Sequence, residues 1–370
     1  MRIVVGSDKL TYEDDTGSPA ASLLESKLLF NSTISDARKG ARFMSLDLKD
    51  FFLATPMQRP EYMRVPYKYF PSDIRKKYNL DLLVHDGYIY VRIKKGMYGL
   101  KQAAVLAYQN LINKLAPFGY EPIPHTDSFW RHKSRPTKFC LCVDDFGVKY
   151  FHKQDIQHLI TALQQNYKIS TDFEGTNYCG LTLDWFYDDG FVDVSMPGYV
   201  PRALEKFQHK AKTPQYSPHP CHRPAYGSKV QYAHDPDTTD LASPKEKQRV
   251  QSIAGTFLYY SRAIDPTMIV ALNEIASVQS KPTRQTLQKC DRLLDYAATY
   301  PNVKLRFFES DMVLHVDSDA AYLVQPQARS RIAGYYLLSS RPAPAPSIPT
   351  RAPNAPLHVE SSTAHTLKDR

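Results

Sequence analysis

The sequence predicts helices and strands mixed along one chain and divided among two or three domains. Three observations predict this. At 370 residues the chain is longer than one ordinary domain. Apolar runs of strand length alternate with stretches of helical spacing. A Pro- and His-rich stretch without periodicity, residues 212–245, interrupts the pattern and reads as a connector.

Before the connector, "RIVVG" reads as a short strand. "SPAASLLESKLLFNSTISDARKG" reads as a helix with Ser18 and Pro19 at its start and Gly40 after its end. "ARFMSLDLKDFFLATPM" holds an apolar run suited to a buried strand, and "DGYIYVRIKKGMYGL" is a strand leading into a turn. "KQAAVLAYQNLINKLAPFGY" has helical spacing, with Ala104, Leu111 and Leu115 on or near one face. "KFCLCVDDFGVKY" reads as a hairpin, "KQDIQHLITALQQNY" as a helix, and "YCGLTLDWFYDDGFVDVSM" as two strands turning at Asp188–Gly190. After the connector, residues 246–298 carry helical patterns. From Val303 the chain alternates as strands do, then passes through the Pro-rich "RPAPAPSIPTRAPNAPL" to a polar tail.

Composition narrows the class. The hydrophobic fraction of 42% allows ordinary cores, and 25 tyrosines give much of the buried surface a polar tip. A net charge of +9 favours a polyanionic partner, nucleic acid before an anionic membrane. Five irregularly spaced cysteines, Cys140, Cys142, Cys179, Cys221 and Cys290, argue for reduced thiols inside a cell. "HPCH" (His219–His222) lacks a second pair at ligand spacing and reads as loop rather than a zinc site. With no leader pattern and no apolar run of about 18 residues, the expectation is a chain that is neither secreted nor membrane-spanning.

The chemistry sits in the hairpin. Asp144 and Asp145 are adjacent between two apolar runs. In isolation they read as turn residues. Held rigidly together, two carboxylates repel unless a cation neutralises them. "MSLDLKDFF" places a further aspartate, Asp47, inside another apolar strand, where a charge needs a partner. Three carboxylates converging on one sheet edge suit Mg2+, which takes oxygen ligands. A pair of such ions activates a hydroxyl and stabilises a leaving pyrophosphate, which is nucleotidyl transfer.

Here the sequence resembles a family. "LDLKDFF", "GMYGLKQAAVLAYQ" and "LCVDDFGV" are similar to motifs A, B and C of reverse transcriptases, in the order and spacing of copia-type retrotransposon polyproteins. "IAGTFLYYSRAIDPT" resembles the segment after the polymerase core, and "LHVDSDAAYLVQPQARSRIAGYYLLSS" the start of a ribonuclease H domain. The resemblance implies an α+β, right-hand polymerase (fingers, palm, thumb) with an antiparallel palm sheet. A helical connector and a partial ribonuclease H-like sheet would follow. The implied limits are 1–206 for fingers and palm, 207–300 for a thumb-like and connecting region, and 301–370 for a truncated ribonuclease H-like segment. The implied activity is RNA-directed DNA polymerisation with two Mg2+ ions (Mn2+ as substitute) on an RNA or DNA template, a primer and dNTPs. It would run inside the cell, in a cytoplasmic particle or the nucleus, without membrane.

Residue by residue, Asp47 matches the motif A aspartate, and Asp144 and Asp145 match the motif C pair; all three are catalytic and metal-binding candidates. Phe52 stands at the steric-gate position that excludes a 2′-hydroxyl, with core packing as the alternative. Gly99, Lys101 and Gln102 fall in motif B, beneath nucleotide and template. Arg2 and Lys9 read as solvated charges of the fingers. Two departures stand out: Cys142 where the family has tyrosine, and Ala104 where it has proline. Asp317 matches the first carboxylate of ribonuclease H, but no other carboxylates match, so that activity is expected to be absent. With no protease or integrase segment, the chain reads as a polyprotein piece. The rival reading is a degenerate, non-catalytic nucleic-acid-binding remnant.

Overall fold

The computed structural model describes residues 5–6, 12–13, 16–220, 237–325, 329–340 and 354–363. Arg2, Lys9, Cys221, His222 and most of "RIVVG" lie outside them. The chain forms two compact units: residues 1–22 with 43–174, and residues 23–42 with 175–370. These are divisions by packing. The limits at 206/207 and 300/301 are divisions by role and remain expectations about role. The architecture is mixed, with antiparallel sheets.

The first helix, α1 (Leu23–Ser35), belongs to the second unit. It starts later than Ser18 because the preceding backbone is used otherwise: the Ala21 N–H donates to the Leu141 carbonyl at 2.7 Å. It ends at Ser35, and Gly40 (φ +94°) instead closes a short turn over Ala37–Lys39.

The first unit is built on a six-stranded sheet. Its strands are β1 (Arg42–Lys49), β4 (Tyr120–Pro122), β5 (Phe129–His132), β6 (Lys138–Cys142), β7 (Asp145–Tyr150) and β8 (Lys168–Asp172), in the order β4-β5-β6-β7-β1-β8. A separate antiparallel ribbon pairs β2 (Pro56–Pro66) with β3 (Tyr88–Lys95), joined through the short helix α2 (Ser72–Lys77). Helices α3 (Ala103–Leu115) and α4 (Lys153–Gln164) share one core with the sheet. Period-2 alternation sorts the strands. Met44, Leu46 and Leu48 of β1, Phe139 and Leu141 of β6, and Phe146 and Val148 of β7 enter that core. So do Ala103, Ala107, Leu111 and Leu115 of α3, one stripe at helical spacing. Ala104, expected near that stripe, is only partly buried against it.

In the second unit, β9 (Asn177–Tyr178), β10 (Leu181–Phe186), β11 (Phe191–Ser195) and β12 (Lys304–Phe308) form a sheet ordered β12-β11-β10-β9. The segment read from Val303 onward is therefore shared between two sheets. A third sheet holds β13 (Val313–Gln325), β14 (Arg329–Ser339) and β15 (Pro356–Thr363) in sequence order. After the short helix α5 (Tyr199–Lys206), α6 (Pro244–Ala263), α7 (Ile269–Val278) and α8 (Arg284–Thr299) pack together. Their starts are legible chemistry. Ser243 caps α6 in a box with Glu246, with Pro244 at the first turn, and Thr283 caps α8 in a box with Thr286. Lys27 of α1 donates to the Arg262 carbonyl at the end of α6 at 2.7 Å, and burial pulls its ammonium down to about 8. Among the described residues no helix is long and apolar enough to cross a membrane.

Candidate active site

Strand alternation places the aspartates. With Met44, Leu46 and Leu48 turned into the core, Asp47 falls on the opposite face of β1, away from α3 and α4. By the same rule Asp145 lies opposite Phe146 on β7, and Cys142 opposite Leu141 on β6. Cys142 and Asp145 are cross-strand partners, so Val143 and Asp144 make a two-residue turn. Val143 takes φ +62°, a conformation a β-branched residue adopts only under constraint. The constraint is visible. The Leu48 N–H of β1 donates to the Asp144 carbonyl at 3.0 Å, fixing the turn beside the strand that carries Asp47.

The three carboxylates share one electrostatic neighbourhood. Burial pushes the Asp145 carboxyl up to about 6, and the charges of Asp144 and Asp47 push the same way. The Tyr98 hydroxyl donates to Asp144 Oδ2 at 3.4 Å. The Ser170 hydroxyl, from the β8 residue paired with Asp47, donates to Asp47 Oδ2 at 3.4 Å. Among the described residues no three His, Cys, Asp or Glu side chains form a group that could hold a metal ion as they stand. The donor set nevertheless fits a hard divalent cation: all its ligands are oxygen, and their mutual repulsion is what such an ion relieves.

The raised proton affinity has a sign. A carboxyl whose folded value exceeds its ordinary value of about 4 stabilises the fold while protonated. That contribution is complete below the ordinary value and is lost as pH rises through about 6. Asp145→Asn is therefore expected to melt with the parent at a pH of about 4 and above it at a pH of about 7, in chelator. Melting curves whose pH dependence is the same in both proteins would refute the assignment.

Phe52 is buried, 7% exposed, in the core cluster. Its ring meets Tyr98 edge-on at 4.7 Å and Phe51 at 5.7 Å. A Cβ on Gly96 would lie 2.6 Å from the Phe52 carbonyl oxygen, so glycine is required for this approach. Gly99, at φ +93°, serves the turn before α3, in which the Leu100 N–H donates to the Met97 carbonyl at 3.1 Å. Lys101 is exposed. Gln102 is buried at the start of α3, and its amide donates to Glu61 Oε1 on β2 at 3.0 Å. Asp317 lies in the second unit on β13, opposite Tyr335 of β14. Sequence reasoning missed Tyr98, Ser170 and Glu61. Tyr98 lies inside the "GMYGL" motif and could have been marked; Ser170 and Glu61 became partners only through strand pairing and docking.

A curated relative, the transposon Ty1-DR5 Gag-Pol polyprotein of Saccharomyces cerevisiae, is 25% identical over 266 residues, covering 68% of this chain and 15% of its own length. The chain is similar to a segment of retrotransposon Gag-Pol polyproteins. The Ty1-LR2 Gag-Pol polyprotein of the same yeast matches to the same extent, and the chain spans 15% of the length of both. No family model matches the chain. Among solved structures, a foamy viral protease-reverse transcriptase in complex with double-stranded DNA aligns at TM-score 0.43 and 12% identity, over 88% of this chain and 43% of that one.

Proposed function

We propose that the chain is the reverse-transcriptase region of a copia-type retrotransposon polyprotein, an RNA-directed DNA polymerase joining dNTPs to a primer 3′-hydroxyl. The observation that carries this reading is the grouping of Asp47, Asp144 and Asp145 at one end of the six-stranded sheet, on the side away from its helices. The motif resemblance and the Gag-Pol similarity support it. Asp47 and Asp144 would hold two Mg2+ ions, with Asp145 as the peripheral ligand. When bound, the ions supply Lewis-acid stabilisation of the attacking and leaving oxygens. The chain's own contribution is position. The Leu48–Asp144 hydrogen bond sets the turn against β1, and Tyr98 and Ser170 orient the carboxylates. Primer extension by the purified protein on an RNA template with Mg2+ tests the reading. Binding without extension would replace it with the non-catalytic remnant.

Sugar selection is assigned to Phe52. Phe52→Val is expected to raise ribonucleotide over deoxynucleotide incorporation. An unchanged ratio in an active variant would leave Phe52 as packing beside Tyr98.

No ribonuclease H activity is expected from these residues. Glu360 pairs with Gly334, which pairs with Ser318, so Glu360 and Ser318 share a face. Asp317 lies one residue from Ser318 and therefore faces the other way. The two carboxylates cannot hold one ion through the sheet, and Glu360 is engaged by the Tyr336 hydroxyl at 2.9 Å. A labelled RNA–DNA hybrid should remain intact with Mg2+. Cleavage abolished by Asp317→Asn would overturn this.

A further inference from the structure

Between β2 and β3 of the first unit, residues 67–86 make a small lobe. Tyr67–Tyr69 and Leu80–Leu83 form short 3-10 turns on either side of α2. The lobe is braced from within. Arg75 Nε donates to the Phe70 carbonyl at 2.7 Å, and its Nη2 donates to the carbonyls of Tyr67 and Lys68 at 3.3 and 3.2 Å. The same guanidinium lies 4.1 Å over the Tyr67 ring, whose hydroxyl donates to the Asp81 carboxylate. Leu80 is buried and anchors the second turn. The apolar residues just after it point outward: Leu82 is 85%, Leu83 60% and Val84 38% exposed. Tyr69 and Tyr78 of the same lobe are also exposed.

One exposed leucine means little. Three consecutive apolar side chains held out on a braced turn are the mark of a contact surface. Charge narrows what fits it. The lobe sets Lys68, Arg75, Lys76 and Lys77 against Asp73, Asp81 and Asp86, so it is close to neutral in a chain of net charge +9. Among the described residues no ion pair engages Lys68, Lys76, Lys77 or Asp73. A polyanion or an anionic membrane would meet three carboxylates here and would find stronger attraction elsewhere on so basic a chain. A second copy of the chain is repelled by net charge, and least so at a near-neutral lobe carrying both signs. A two-fold contact between copies sets the bases of each against the acids of the other and the leucines against their counterparts.

We propose that this lobe is the surface through which two copies of the chain associate. Leu82, Leu83 and Val84 pack on the same residues of the partner, and Lys76 and Lys77 of one copy face the acids of the other. The inference stands apart from the function proposed above, because it uses none of the residues assigned to the active site. A lobe of this size buries less than the roughly 800 Å² per partner of a standard interface. The dimer is therefore weak and exchanging, formed in the micromolar range.

The test is sedimentation velocity of the full chain, freed of nucleic acid, from low to high micromolar concentration. The parent should pass from monomer to dimer. Leu82→Ser and Leu83→Ser together should weaken association by about tenfold or more, since both apolar side chains leave the contact. Lys76→Glu with Lys77→Glu should associate more weakly than the parent when alone. Mixed with the parent it should recover, because its new acids then face the parent's bases. Leu241→Ser, a comparably exposed leucine in the other unit, should associate as the parent does. Far-UV circular dichroism and melting confirm that each variant folds. The proposal is overturned if the parent stays monomeric throughout, or if the folded double leucine variant dimerises like the parent. It is equally overturned if the lysine variant fails to recover on mixing, or if the leucines govern flotation with phosphatidylserine vesicles while leaving self-association unchanged.

Discussion

Asp144→Asn should reduce primer extension by at least about a hundredfold, while the protein folds as before. The substitution keeps the shape of the side chain and removes the charge that, on the proposed function, serves as an oxygen ligand where charge develops in the reaction. Fixed groups in such positions are each worth about two to three orders of magnitude in rate. The fold should tolerate it because the contact that sets the turn comes from the Asp144 backbone: its carbonyl accepts the Leu48 N–H, and asparagine leaves that carbonyl in place. The change also removes one of the charges that push Asp145 up, so the Asp145 carboxyl should titrate lower in this variant. Extension at the parental rate would refute the catalytic assignment. An inactive variant whose melting temperature has collapsed would refute the claim that the backbone alone holds the turn.

The largest effect on stability is expected at Trp130. It is fully buried on β5, stacked on Phe139 of β6 at 5.4 Å and met edge-on by Tyr108 of α3 at 5.8 Å. Trp130→Ala removes the largest buried side chain of the first unit and leaves a cavity between sheet and helix. The cost should be about 3–5 kcal/mol, a large part of the total stability of an ordinary domain. Phe139 also meets Phe146, one residue beyond Asp145, in a tilted contact at 5.0 Å, so loosening this aromatic row should also loosen the hairpin that carries the site. Urea denaturation measures the first effect. A loss below about 1 kcal/mol would show that the core closes over the gap.

What was legible in the sequence was mostly local. Asp47 stands out as a charge inside an apolar strand, where it needs a partner, and the structure turns its neighbours Met44, Leu46 and Leu48 inward. Asp144 and Asp145 stood out because strand-like runs flank them. Ser243 and Thr283 begin α6 and α8 through their own side chains, so the helical region had readable starts. What was hidden depended on distant pairing. That β1 lies between β7 and β8 cannot be read from any window, yet this order brings Ser170 to Asp47 and the Asp144 turn to Leu48. β12 reads by itself as the beginning of a new segment, but its register with β11 pairs Arg306 with Asp193, whose carboxylate takes two hydrogen bonds from the guanidinium. Pro19 looks like a first-turn proline, yet α1 begins only at Leu23, because the Ala21 N–H is already committed to a strand. The motif resemblance implies a place beneath a template for Gln102; no window of sequence shows its protein partner, Glu61.

On the proposed function, Asp47, Asp144 and Asp145 together make a divalent-cation site. The most direct measurement is a Mn2+ titration of protein carrying isotope-labelled aspartate, followed by paramagnetic broadening of the aspartate signals. If the three make one site, the signals of Asp47, Asp144 and Asp145 broaden first and together, at lower Mn2+ when the pH is above about 6 than below it, and in Asp144→Asn the effect is lost at Asp47 and Asp145. Broadening that begins at Asp317 and Asp319, or spreads evenly over all aspartates, would contradict it.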